Sequence, residues 1–136
     1  MSVNWHNLAI AVSCGLEQER LCERGAFIDE AALVRASAAF IQATTQLLVS
    51  PEVAHADLAA GERLDLTGRT RPDVPLSFAV EAKWIRSGGG VRNWPAEIAK
   101  DILRLARLDQ ETSGMTDRAL IIGGIRRSVN LTVSQE

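Results

Sequence analysis

Leu76-Ser77-Phe78-Ala79-Val80-Glu81-Ala82-Lys83 is an apolar run that ends in charge. Such a run reads as a buried strand, where an unpaired charge is costly. Side chains alternate faces along a strand, so Glu81 and Lys83 share one face while Phe78, Val80, Ala82 and Trp84 share the other. Upstream, Arg63-Leu64-Asp65-Leu66-Thr67 alternates as well and sets Asp65 opposite to Leu64 and Leu66. A hairpin with its tip near Asp73 pairs position 65 with 81, 64 with 82 and 66 with 80. The apolar residues then fall on one face, and Asp65, Glu81 and Lys83 on the other. Residues directly opposite have Cβ atoms roughly 4.5–5.5 Å apart, close enough for two carboxylates to share an ion.

Two carboxylates and a lysine on one face suit metal-assisted phosphodiester hydrolysis. Mg²⁺, or Mn²⁺ in its place, is held by one or two carboxylates plus water and phosphate oxygens. Asp65 and Glu81 are the expected ligands, with the backbone carbonyl of Ala82 as a neutral third. Lys83 is expected to orient or help deprotonate the attacking water and to offset charge building on the phosphate.

The 136 residues, 46% apolar and 24% charged, describe a globular chain with one core. A net charge of -2 gives no bulk positive field for a polyanion. Locally, Arg63, Arg69, Arg71, Arg86 and Arg92 gather around the two strands; solvated loop arginines are the alternative reading. Cys14 and Cys22 have neither zinc-site spacing nor a disulfide pattern, which fits a reducing cytoplasm. Leu8 to Cys14 is too short, and lacks a preceding Lys or Arg, for a lipoprotein signal. No run approaches the ~20 apolar residues of a membrane span.

The apolar spacing predicts a helix over Val3–Arg24, with Gly15 as a weak point and an amphipathic surface suited to dimerisation. A second helix begins at the N-cap Asp29, carries Leu33, Val34, Ser37, Phe40, Ile41, Thr44, Leu47 and Leu48 on one face, and stops at Ser50-Pro51. Glu30 heads that inward stripe. Strands are expected over Glu52–Leu58, Glu62–Thr67 and Leu76–Ile85, with a Gly- and Pro-rich loop from Gly68 to Pro75. After Ser87-Gly88-Gly89-Gly90, Asn93 caps a helix with Pro95 in its first turn and an apolar face of Ile98, Ile102, Leu103, Leu105, Ala106 and Leu108, running through Asp109. A strand over Arg118–Ile125 closes the core, and the tail after Arg127 either adds a short strand or frays. The fold class is α/β: an αβββαβ core with a mixed central sheet flanked by helices, preceded by an extra N-terminal helix.

Asp65, Glu81-Ala82-Lys83 and this element order together resemble the PD-(D/E)XK nuclease superfamily, the restriction-endonuclease-like fold. The resemblance spans Asp29 to about Ile125, so residues 1–136 read as one nuclease-like domain with residues 1–28 as an extension and 29–125 as the core. The literal Pro72-Asp73 lies in the hairpin tip, with seven residues before Glu81; Asp65, in mid-strand with fifteen intervening, is the better family aspartate. The resemblance implies Mg²⁺- or Mn²⁺-dependent cleavage of nucleic acid, DNA in the first instance, and an auxiliary ligand role for Glu30. Phosphate contacts by Arg69, Arg71, Arg86, Arg92 and Lys100 are expected from charge alone. With no appended reading domain, specificity would come from a homodimer or a protein partner.

Alternatives stand beside each assignment. The fold could persist without catalysis, as a nucleic-acid-binding or protein-interaction module. Glu81 and Lys83 could be a surface ion pair, and Glu30 could serve only the helix N-terminus. Trp84 and Trp94 could stack bases or pack the core, and Lys100 could face solvent. Asp101 and Arg104 read as an ordinary helix pair, and His6 and His55 lack ligand-spaced partners.

Overall fold

The structure is a computed structural model that describes residues 2–25, 28–85, 94–108 and 117–124. Three helices and four strands follow one another as α1 (Trp5–Leu21), α2 (Glu30–Thr44), β1 (Leu48–Val53), β2 (Leu64–Arg69), β3 (Phe78–Ile85), α3 (Trp94–Ala106) and β4 (Asp117–Gly124). The sheet order is β1-β2-β3-β4, antiparallel across the first two junctions and parallel between β3 and β4. A parallel neighbour needs a crossover, and α3 supplies it. The αβββαβ order with a leading extra helix is therefore present, and it is compatible with a restriction-endonuclease-like architecture.

Two apolar layers cover the sheet. Leu66, Phe78, Val80 and Ala82 meet Leu8 and Val12 of α1 and Leu33 and Ile41 of α2 on one face. Leu64, Leu76 and Ala79 meet Leu105 and Leu108 at the α3 end on the other. The alternation expected along β3 holds, since Phe78, Val80 and Ala82 face α1 and α2, while Ala79 and the charged Glu81 and Lys83 face α3.

The hairpin register is the expected one: Leu66 pairs with Val80, Thr67 with Ala79 and Gly68 with Phe78. One consequence drawn from it fails. Leu64 does not share a face with Leu66 but packs in the α3 layer. Regular pairing breaks on both sides of Asp65. Towards β3 the ladder ends at Leu66–Val80, and towards β1 the residue between the paired Pro51 and Val53 is Glu52, with a left-handed φ of 52°. Non-glycine residues adopt that conformation at a cost, and at this irregular stretch Leu64 faces the layer opposite to Leu66.

Several expected boundaries shift for identifiable reasons. The second helix ends at Thr44 rather than near Leu48, where Thr45 closes it through its N–H and hydroxyl to the Ile41 carbonyl at 2.9 and 2.7 Å. The first strand is Leu48–Val53, not Glu52–Leu58, and it contains Pro51. Proline is tolerated there because β1 is a sheet edge. The first helix runs unbroken through Gly15. It buries Leu8 and Val12 and leaves Ile10 and Leu21 exposed. A cavity of about 1000 Å³ lies beside it, lined mainly by residues of α1 and β4 with Leu33 and Trp84, and holds none of the paired acids of β2 and β3. In α3 the inward stripe is Trp94, Asp101 and Leu105, while Ile102 and Leu103 are 51% and 58% exposed. The predicted helix cap Asn93, the glycine run at 88–90 and the tail after Arg127 lie outside the described residues.

Among the described residues, no helix is long and apolar enough to cross a membrane.

Candidate functional site

The break in pairing at Asp65 is what builds the site. Where β2 leaves β3, the N–H groups on that edge of β3 lose their ladder partners, and two carboxylates replace them. Ala82 N–H donates to Asp65 Oδ2 at 2.7 Å, and Trp84 N–H donates to Glu30 Oε2 at 3.4 Å. A strand residue's N–H and C=O leave by the same edge, so the Ala82 carbonyl opens toward the same gap. Glu30 arrives from the first turn of α2, directly after the cap Asp29, whose Oδ1 accepts from Ala32 N–H at 2.8 Å.

Glu81 is 1% exposed and within hydrogen-bonding reach of Asp65. Burial, then the Asp65 carboxylate by hydrogen bond and by charge, push its carboxyl up to about 8 against the opposing pull of Arg104. Two converging carboxylates repel unless a proton or a cation lies between them. Glu81 Oε1 accepts from Arg104 Nη1 at 3.2 Å. This burial removes the surface-pair reading of Glu81 and Lys83.

Lys83 is the hub of the second half of the site. Its side chain is 13% exposed, and Nζ lies 3.8 Å from Glu30 Oε2, 3.7 Å from Glu97 Oε2 and 3.6 Å from Asp101 Oδ2. Burial disfavours the ammonium, but Glu30, Asp101 and Glu97 outweigh it and the pKa stands above the ordinary lysine value. Burial raises the Glu30 and Asp101 carboxyls despite the pull of Lys83 on both. Asp101 Oδ2 is buried without a hydrogen-bond partner among the described residues. Arg104 closes the group, with Nε 3.0 Å from Glu62 Oε2 and Nη1 3.6 Å from Asp101 Oδ1.

Asp65, Glu81, Lys83 and Glu30 are thus brought together. Arg69 and Arg71 are not. Both lie toward the hairpin tip, four and six positions beyond Asp65 or about 13–20 Å of strand. Arg69 donates to the carbonyls of Pro72 and Val74, and Arg71 pairs with exposed Asp73 at 3.9 Å. Asp73 is therefore remote from Glu81, in agreement with the choice of Asp65. Lys100 is solvent-exposed on α3. Arg86 and Arg92 lie outside the described residues. Trp84 packs partly buried against the α1–α2 layer and Trp94 is buried, which is the packing role for both. His55 accepts from Asp57 N–H at 3.1 Å within a turn.

Four charged neighbours were not assigned to the site from sequence: Glu62, Glu97, and the pair Asp101–Arg104, which is present as an i,i+3 helix pair at 3.6 Å but also reaches β3. One signal was present for Asp101. Trp94, Ile98, Leu105 and Leu108 recur at helical spacing, and position 101 falls on the same stripe. An acid on an apolar stripe calls for a buried cation, and Lys83 is that cation.

Mg²⁺ and Mn²⁺ need hard oxygen donors and take as few as two from protein, with water and phosphate completing the shell. Asp65 and Glu81 are oxygen donors of that chemical kind. Among the described residues, no group of three or more His, Cys, Asp and Glu side chains is arranged to hold a metal ion. No family model, no curated protein and no solved structure matches this chain.

Proposed function

We propose that this chain is a nuclease-fold module of the PD-(D/E)XK kind that acts on nucleic acid, and that the Asp65–Glu81 pair makes it a Mg²⁺- or Mn²⁺-dependent phosphodiester hydrolase. The observation that carries the reading is the Asp65 carboxylate held on Ala82 N–H at the strand break, beside the buried Glu81 and with Lys83 two residues beyond. Bringing two acids together in a buried place is costly. A site that takes up a cation and a phosphate accounts for that cost.

Asp65 and Glu81 would hold the ion, with the Ala82 carbonyl as a neutral ligand and Glu30 as an auxiliary acid. When bound, the ion supplies Lewis acidity at phosphate and a lower pKa for water. Lys83 stays an ammonium under the field of Glu30, Asp101 and Glu97. Its work is then to orient the attacking water and offset charge on the phosphate, rather than to accept a proton. Glu81 must lose its raised proton to hold an ion, so metal and proton compete and the metal concentration needed for cleavage should fall as pH rises.

A second reading, a fold of this kind that binds without cutting, has one observation in its favour. As the side chains stand, no three-membered ligand group exists among the described residues, and Glu81, its carboxyl raised by burial, is held by Arg104. That arrangement favours the silent module until Glu81 ionises. Incubation with single- and double-stranded DNA and RNA, with Mg²⁺, Mn²⁺ or EDTA, separates the two. The hydrolase reading expects metal-dependent cleavage that Asp65→Ala and Lys83→Ala each reduce by at least 100-fold, on the order of the loss of one transition-state contact. Cleavage surviving both substitutions removes the assigned site, and binding without cleavage selects the silent module.

A further inference from the structure

Arg104 is the one side chain on α3 that reaches Glu81 among the described residues, and it is held on both sides. Its Nη1 donates to Glu81 Oε1 at 3.2 Å, its Nε donates to Glu62 Oε2 at 3.0 Å, and Asp101 Oδ1 lies 3.6 Å from Nη1. Glu62 is anchored in turn by Arg107 Nη1 at 3.1 Å. A guanidinium presents its donors in a rigid fork, so fixing two edges fixes the third. Glu81 has two oxygens. With Oε1 committed to Arg104, the other is the one left to meet Asp65 across the strand break.

We propose that Arg104, braced by Glu62 and Asp101, is the positioning residue of the ion site: it fixes the Glu81 carboxylate so that its free oxygen faces Asp65. This rests on the Asp65–Glu81 pair being an ion site. Partners behind a metal ligand set its orientation, and their loss typically weakens metal affinity by about 10–100-fold. Asp101 does a second job in the same arrangement. Its Oδ2 lies 3.6 Å from Lys83 Nζ, so one buried carboxylate spaces the lysine from the arginine and keeps each on its own acid. The opposing possibility is that Arg104 occupies the cation's own place and competes with it. The two differ in sign.

The test is Mn²⁺ binding to the full chain without nucleic acid, read from the free-Mn²⁺ paramagnetic resonance signal at one fixed pH, with a thermal melt of each variant. Arg104→Met keeps the stem and removes the fork, and a 10–100-fold weaker affinity with a retained folded melt is expected. Arg104→Lys restores a charge without the fork and should fall between the two. Unchanged or tighter binding in Arg104→Met overturns the proposal, tighter binding identifying Arg104 as a competitor. If Arg104→Met does not fold, Glu62→Ala leaves Arg104 in place and removes its outer brace. A several-fold loss then supports the proposal and an unchanged affinity overturns it. Wild-type protein that binds no Mn²⁺ sinks the ion-site reading itself, which is distinct from a wild type that binds and a variant that binds equally.

Discussion

Replacing Glu81 by Gln should make the protein more stable at high pH and leave it nearly unchanged at low pH. A Gln amide reproduces the protonated acid: its N–H donates toward Asp65 and its oxygen accepts from Arg104, the two contacts of the wild-type carboxyl. In wild type the carboxyl rises from 4.5 to about 8 on folding, through burial first and Asp65 second. Between those values the native state holds a proton that the unfolded chain has released, so stability falls as pH rises through the window and levels off above it. At about 1.4 kcal/mol per pKa unit the full rise corresponds to about 5 kcal/mol. Local relaxation and water entry reduce that ceiling, and about 2–4 kcal/mol is expected at pH 9. Glu30 and Asp101, whose carboxyls are also raised, titrate in both proteins and largely cancel in the difference.

The measurement is urea unfolding of wild type and Glu81→Gln from pH 5 to pH 9.5, followed by circular dichroism. The two free energies should converge near pH 5 and separate steadily to pH 9, with Gln the more stable. A difference that does not change with pH, or one in which wild type gains with rising pH, would refute the buried acid pair. A second arm ties the pair to its ion. Mn²⁺ at 100 times its dissociation constant should stabilise wild type by about 2.7 kcal/mol at pH 8.5 and the Gln variant by much less.

Two further substitutions test the frame around the site. Lys83→Met leaves Glu30, Glu97 and Asp101 converging without their shared cation, so unfolding free energy should drop by about 1–3 kcal/mol at pH 8. The loss should shrink toward pH 5 as Glu30 and Asp101, whose carboxyls are raised by burial, take up protons, and a loss equal at both pH values would argue against the cluster. Gly68→Ala should cost about 1–3 kcal/mol or more in the same assay, because a Cβ there would sit 2.0 Å from Phe78 Cε1. Phe78 has little room to retreat, being buried and edge-on to Trp5 at 5.7 Å, so a neutral result would mean that the hairpin register differs.

The hairpin was legible because two period-2 segments flank one Gly- and Pro-rich loop, and the pairing that buries both sets of apolar residues is nearly unique. The element order followed from it. The helix and strand boundaries around Ser50-Pro51 were not legible, because a proline ends a helix and also sits in an edge strand, and only the neighbour that β1 lacks decides between them. The face of Leu64 was hidden for a different reason. Alternation presumes a regular ladder, and the ladder stops at Asp65.

That stop connects the fold to the chemistry. A regular strand pair would have satisfied the Ala82 N–H with backbone and left Asp65 free on a face; instead the Asp65 carboxylate takes the place of the missing ladder bond. The same edge gives Trp84 N–H to Glu30. Both acids are thereby fixed by β3 backbone. The sequence showed the β3 half of this arrangement, Glu81 and Lys83, as charges on a buried run. It concealed the α3 half, because reading the apolar letters Ile102 and Leu103 as the inward face turned Asp101 and Arg104 toward solvent. Helical spacing from Trp94 to Leu108 puts Asp101 inward, and the two buried charges of β3 then have their counterparts: Lys83 against Asp101, Glu81 against Arg104. Buried charge on a strand is therefore a constraint on the helix that covers it. Had each charge of β3 been required to find an opposite charge on the helix after it, the register of α3 would have followed from the sequence.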